Sequence, residues 1–188
     1  MRYSTPGIDG WMSADELHWL YDTATRMNSI VEVGSWLGRS THALCSGCAG
    51  TVYAVDHWLG SPDEREGNHK LVQTADVYEL FIENLKEFVC HNGLGCGNLM
   101  PFKMDSLEAA ELFSGGKYGQ IDMVFIDGDH RKDNVLADLK AWCPLAKKIL
   151  CGHDFSQNGV EQAVEEFGMP FERVPGMTIW TMNMEVPA

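Results

Sequence analysis

Ile30-Val31-Glu32-Val33-Gly34-Ser35-Trp36-Leu37-Gly38-Arg39-Ser40, with Thr51-Val52-Tyr53-Ala54-Val55-Asp56 beyond it, is the stretch that decides the fold. The apolar run ending at Gly34 reads as a short buried strand. Ser40 to Cys48 reads as a helix. Thr51 to Asp56 reads as a second, β-branched strand that ends in a carboxylate. A strand, a glycine turn, a helix and another strand together predict parallel pairing across a helical crossover.

The pattern repeats outward from that unit. Upstream, Leu17, Leu20, Tyr21 and Ala24 recur at helical spacing. Ser13 with Glu16 three positions later is a capping-box start, so a helix is predicted over Ser13–Met27. Downstream, helices are predicted over Ala75–His91, from Ser106 to Phe113, over Asn134–Trp142 and over Val160–Phe167. Strands are predicted over Leu99–Met104, Ile121–Ile126 and Lys148–Cys151. Phe171–Val174 and Met177–Met182 flank Pro175-Gly176 and predict a terminal hairpin. The expected fold is α/β and Rossmann-like: a mostly parallel seven-stranded sheet, a C-terminal antiparallel hairpin and helices on both faces. Residues 57–74 carry Gly60, Pro62 and Gly67 among charges and read as a long loop or partly helical insertion, a candidate lid, within one domain, 1–188.

Composition narrows the function. Lys plus Arg is 14 and Asp plus Glu is 27, a net charge of −13. Such a chain is repelled by phosphate backbones, and Arg131-Lys132 and Lys147-Lys148 are too few for a basic footprint, so no nucleic-acid partner is expected. No apolar run approaches the ~20 residues of a transmembrane helix, so no membrane partner is expected. The first nine residues lack the apolar core of a signal peptide, and a cytoplasmic location is expected. Cys45 and Cys48 have metal-knuckle spacing, and Cys90 and Cys96 are a second candidate pair. Small buried hydrophobes are the preferred reading of all six cysteines.

Chemistry collects at the strand ends. Glu32-Val33-Gly34, Asp56-His57, Asp105-Ser106, Asp127-Gly128-Asp129-His130 and His153-Asp154 each close a strand. A parallel sheet gathers such ends at one edge, where ligands bind. Each carboxylate is alternatively a cap for the next helix. Gly34 permits a sharp turn, and Gly38 permits close approach to a ligand. Gly34 and Gly38 do not have the spacing of a dinucleotide fingerprint, and Glu32 is ill placed beside a pyrophosphate. Glu32 suits the cationic amino end of an amino-acid-like cofactor. Asp56 suits ribose hydroxyls, and Asp105-Ser106 an adenine edge.

These segments, with Gly10-Trp11-Met12-Ser13 and Val55 to Ser61, resemble class I S-adenosylmethionine-dependent methyltransferases. They are similar above all to the small bacterial and phage family related to macrocin and macrolide-sugar O-methyltransferases. The resemblance implies S-adenosyl-L-methionine bound by Glu32, Gly34, Ser35, Gly38, Ser40, Asp56, His57, Asp105, Ser106 and Asp127. It implies His130 as general base, with Asp127 beside it. It also implies a divalent ion such as Mg²⁺ on Asp127 and Asp154. His153 stands where the sugar enzymes carry Glu, and would complete the metal set as an imidazole. The expected acceptor is a small molecule with a hydroxyl: a sugar, phenol or related metabolite. Trp11, Trp36 and Trp58 are candidates for a wall or lid, or for ordinary packing. Exposed aromatics also make a homodimer an expected state. An NAD-dependent oxidoreductase and a non-catalytic nucleoside-binding module are the competing readings.

Overall fold

The computed structural model describes residue 3 and residues 7–60, 69–89 and 97–185. In chain order it contains α1 (Ala14–Ala24), β1 (Ser29–Val33), α2 (Arg39–Gly47), β2 (Thr51–Asp56), α3 (His69–Thr74) and α4 (Val77–Asn84). Then follow β3 (Leu99–Lys103), α5 (Ser106–Ser114), β4 (Ile121–Ile126), α6 (Lys132–Trp142), β5 (Ala146–Gly152), α7 (Asn158–Phe167), β6 (Glu172–Arg173) and β7 (Trp180–Asn183). One seven-stranded sheet runs β3-β2-β1-β4-β5-β7-β6. The first five strands pair in parallel, and β7 is antiparallel to both β5 and β6.

Residues alternate between two cores because side chains of a strand alternate between faces. Ile30, Val52, Ala54, Met123, Phe125 and Cys151 pack on one side with α1, α2 and α4. Val31, Val33, Val55, Val124, Ile126 and Leu150 pack on the other with α5, α6 and α7. Both faces are covered, which is why β1 and β4 read as near-continuous apolar runs.

The register aligns the strand ends. Val33 pairs with Val55 on one side and Ile126 on the other, and Ile126 pairs with Gly152. The next residues, Gly34, Asp56, Asp127 and His153, therefore leave the sheet side by side. Gly34 adopts φ 86°, and a Cβ there would lie 2.6 Å from Gly128 Cα. The β1 and β4 turns come together only because this position has no side chain.

Several boundaries differ from expectation. α1 is capped by Ser13, with the capping box formed, but ends at Ala24. The turn beyond it is tied across the sheet by Asn28 N–H donating to Asp122 Oδ2 at 2.8 Å. The helix expected over Ala75–His91 spans only Val77–Asn84, with Asp76 as its cap. Its continuation turns so that Val89 bridges Leu99. The expected helix end at His91 lies outside the described residues, as do 61–68 of the expected lid and Cys90 and Cys96. Beyond that gap, His69–Thr74 is helical.

β7 begins at Trp180, not Met177. Thr178 gives its N–H and hydroxyl to Glu16 Oε1, and its carbonyl accepts from Phe155 N. The backbone there is committed to α1 and the β5–α7 loop, so it cannot extend the hairpin. Cys45, Cys48 and Cys151 are buried in the core, the packing role expected of them.

Candidate active site

A cavity of about 840 Å³ lies beyond the carboxyl ends of the parallel strands. Its first wall is the glycine loop. Asp56 Oδ2 accepts from Ser35 N at 3.0 Å and Trp36 N at 2.9 Å, and Asp56 Oδ1 accepts from Trp58 N at 2.6 Å. Three backbone donors therefore orient the carboxylate. A carboxylate has about four acceptor sites, so one remains for a ligand hydroxyl. The same bonds occupy the loop N–H groups that a dinucleotide enzyme would turn toward pyrophosphate.

Gly34, Ser35 and Ser40 line the cavity, whereas Glu32 and Gly38 do not. Glu32 is fully buried beneath the loop, where its carboxylate accepts from Thr41 Oγ1. Burial pushes its carboxyl up to about 7, against the hydroxyls of Ser40 and Thr41. Buried Glu32 Oε1 and Ser35 Oγ have no hydrogen-bond partner. Gly38 has φ 91°, and a Cβ there would meet Leu85 Cδ1 at 2.6 Å. Its left-handed φ favours glycine, and the missing Cβ would face Leu85 and Phe81, not the cavity, which corrects the expected close approach to a ligand.

At the far end of the cavity, Asp105 is the N-cap of α5 and accepts from Leu107 N at 2.8 Å. Ser106 Oγ donates to Asp138 Oδ1 at 2.6 Å and accepts from Trp142 Nε1 at 2.9 Å. Asp138 belongs to α6 and was not anticipated from sequence, because nothing local distinguishes it from a solvated helix charge. His57 is half-exposed on the cavity wall, and its Nδ1 accepts from Leu59 N at 3.0 Å.

The chemistry sits between β4 and β5. His130 Nε2 lies 2.9 Å from Asp154 Oδ2. His153 Nδ1 lies 3.2 Å from Asp154 Oδ2 and 3.4 Å from Asp127 Oδ1, and its Nε2 lies 3.3 Å from Glu16 Oε1. One donor atom each from Asp127, His153 and Asp154 falls within 4.8 Å of the others. Burial alone would depress the His153 pKa, but the two aspartates outweigh it and raise it to about 11. Burial raises the Asp127 carboxyl against the opposing pull of His153. Burial works the same way on Asp154, but hydrogen bonds from His130 and His153 outweigh it and hold that carboxyl well below the usual range. Glu16, the link to α1, was read from sequence only as a helix cap.

The tryptophans divide. Trp58 is buried on Phe81 and Tyr78, with Nε1 donating to Trp36 O at 2.8 Å. Trp11 is 62% exposed at the cavity mouth, its ring centroid 6.5 Å from that of Trp36. Arg39 fastens this rim by donating to the carbonyls of Ile8 and Met12. Seven aspartates (Asp9, Asp56, Asp105, Asp127, Asp129, Asp138 and Asp154) line the cavity against Arg39, Arg131 and the His153 imidazolium. Arg39 is spent on carbonyls, and Arg131 is paired with Asp129 at 2.5 Å. The cavity therefore carries excess negative charge.

The fold and this site define a class: a doubly wound α/β enzyme domain with an acid–base cluster over a ligand cavity. A family model described as "Methyltransferase domain" matches residues 31–155, and the chain belongs to that family. Solved structures share the fold. An O-methyltransferase from Bacillus cereus, in complex with SAH, superposes with TM-score 0.65 at 16% identity, covering 95% of this chain and 84% of that one. The O-methyltransferase TomG from Streptomyces achromogenes, involved in tomaymycin synthesis and in complex with SAM, gives 0.64 at 13%, covering 92% and 81%. A methyltransferase from Geobacter sulfurreducens gives 0.60 at 18%, covering 93% and 80%.

Proposed function

We propose that this protein transfers a methyl group from S-adenosylmethionine to a hydroxyl of a small molecule. The observation that carries this reading is the charge of the cavity. Adenosylmethionine has two positive centres, a sulfonium and an ammonium, against a single carboxylate, and no phosphate. A cavity lined by seven aspartates favours it and opposes a pyrophosphate. The commitment of the Ser35 and Trp36 N–H groups to Asp56 weighs further against a nicotinamide dinucleotide. Asp56 takes the ribose, and Ser35 holds the loop between that carboxylate and buried Glu32. The same charge disfavours a highly anionic acceptor and suits a sugar or phenol.

Adenosylmethionine supplies an electrophilic methyl group, and a divalent ion would supply positive charge for two acceptor oxygens. The residues present fit such an ion. Donors about 2.1 Å from an octahedral ion lie about 3 Å apart, near the 3.2 and 3.4 Å spacings around His153 Nδ1. Glu16 Oε1 faces His153 Nε2 at 3.3 Å as a charge contact on the far side of the ring from the two aspartates.

His130 is the base. Asp154 lies 2.9 Å from its Nε2 and stabilises the imidazolium that forms when the ring takes a proton. When bound, adenosylmethionine would supply the methyl to the acceptor oxygen and keep the carbon–sulfur electron pair as a neutral thioether, while His130 takes the hydroxyl proton. Orientation of the acceptor against the methyl supplies much of the acceleration. His130→Ala should lower kcat by about 10²- to 10⁴-fold with adenosylmethionine affinity unchanged, read by single-turnover assay and calorimetry. Wild-type turnover in that variant would remove His130 from the mechanism. A module that binds a nucleoside without turnover would not need the His130–Asp154 pair.

A further inference from the structure

The adenine end of the cavity contains a recognition element that neither the glycine loop nor the strand ends supply. Asp105, the expected contact there, already caps α5. Ser106 is committed as well. The indole Nε1 of Trp142 can only donate, so its bond to Ser106 Oγ spends a lone pair of that hydroxyl. The single Ser106 proton then goes to Asp138 Oδ1. The chain Trp142→Ser106→Asp138 has one direction and terminates in a carboxylate. Asp138 is only 7% exposed, and it lines the cavity. Ala137 and Asn134 of α6 line it as well, beside Met104 and Leu107.

We propose that Asp138, oriented by Ser106 and Trp142, reads the exocyclic amino group of the cofactor's adenine. The inference rests on the adenosylmethionine reading. Its physical basis is directional. With Oδ1 held by Ser106, Oδ2 is the oxygen left to accept a donor from the cavity. Adenine presents an N–H donor at its 6-position, whereas hypoxanthine presents a carbonyl lone pair there. A buried carboxylate attracts the first and repels the second. Burial pushes the Asp138 carboxyl up to about 6, against the bond from Ser106, so the acceptor form prevails at pH 8. Asp138 is a specificity residue for the base, remote from the methyl-transfer chemistry of His130 and Asp154.

The test is calorimetric titration of the full chain at about pH 8 with S-adenosylhomocysteine and with S-inosylhomocysteine, its 6-oxo counterpart. The wild type should favour the adenosyl ligand by roughly 10- to 100-fold. Asp138→Asn keeps the shape and the Ser106 bond but can either donate or accept, so the preference should fall to about threefold or less. Asp138→Ala should lose the preference as well. The ratio is informative even if overall affinity drops, because the two ligands differ only along one edge of the base, at the 6-substituent and at the adjoining N1, which carries a proton in hypoxanthine. Wild-type discrimination retained in both variants would overturn the proposal alone. Failure of the wild type to bind S-adenosylhomocysteine would overturn the cofactor reading, and this proposal with it.

Discussion

Asp154 adopts φ 57°, a left-handed conformation that a residue with a Cβ occupies at a cost of about 1–2 kcal/mol. The strain is held in place by the contacts it makes possible: one carboxylate oxygen within reach of both His130 and His153. A strained residue whose side chain points into an acid–base cluster is a mark of function. If the cluster holds a divalent ion, removing it with a chelator should lower turnover by at least about tenfold, and Mg²⁺ or Mn²⁺ should restore it. Metal analysis of the untreated protein gives an independent readout. Turnover untouched by chelation in metal-free protein would instead leave the His153 imidazolium as the positive charge between the two aspartates. Asp127, His130, His153 and Asp154 were all visible in the sequence, because each closes an apolar run. Asp138 and the second role of Glu16 were not visible. Both sit inside helices, and their partners are distant in sequence: Ser106 and Trp142 for one, His153 and Thr178 for the other. Local pattern shows which residues end strands, but not which helix face meets a strand end.

At the scale of elements, Glu16 joins three parts of the fold. Its Oε2 completes the α1 capping box by accepting from Ser13 N at 2.9 Å and Ser13 Oγ at 2.7 Å. Its Oε1 accepts from Thr178 in the β6–β7 connection and faces His153 at the end of β5. Burial opposes this charge, yet the donors of Thr178 and Ser13 outweigh it and lower the carboxyl to about 2. A carboxyl depressed on folding contributes stability that is fully present above its unfolded value, ~4.5, and is lost as pH falls toward 2. Glu16→Ala should therefore destabilise the protein by about 2 kcal/mol at pH 7, allowing for partial solvent screening. The gap from wild type should narrow between pH 4.5 and pH 2. Urea denaturation of both proteins across that range measures it, and a pH-independent gap would show that the charge contributes nothing. The element list itself was legible down to the capping box, because period-2 and period-3.6 patterns alternate cleanly. The premature ends of α1 and α4 and the late start of β7 were not legible. Asn28, Val89 and Thr178 have partners far along the chain, and such contacts override local propensity.

At the scale of the whole molecule, net charge and cavity act together. The chain carries −13, and the seven cavity aspartates outnumber two arginines that are already engaged. A narrow cleft with low-dielectric walls concentrates such a field. Adenosylmethionine and adenosylhomocysteine differ by one methyl and by the positive charge on sulfur. The field therefore distinguishes substrate from product through that charge, attracting the cofactor before transfer and losing its hold on sulfur afterwards. Screening should erase that part of the difference. Raising ionic strength from about 0.01 M to about 1 M shortens the Debye length from about 30 Å to about 3 Å. Adenosylmethionine affinity should fall by roughly tenfold over that range, and adenosylhomocysteine affinity by about threefold or less. Calorimetric titrations of the two ligands across the salt series measure both slopes. Parallel slopes would mean that sulfur sits beyond the reach of the aspartates, and charge would then no longer account for cofactor choice. A steeper slope for the sulfonium ties the acidity of the whole chain to release of the spent cofactor, since the charge that recruits the methyl donor disappears in the reaction itself.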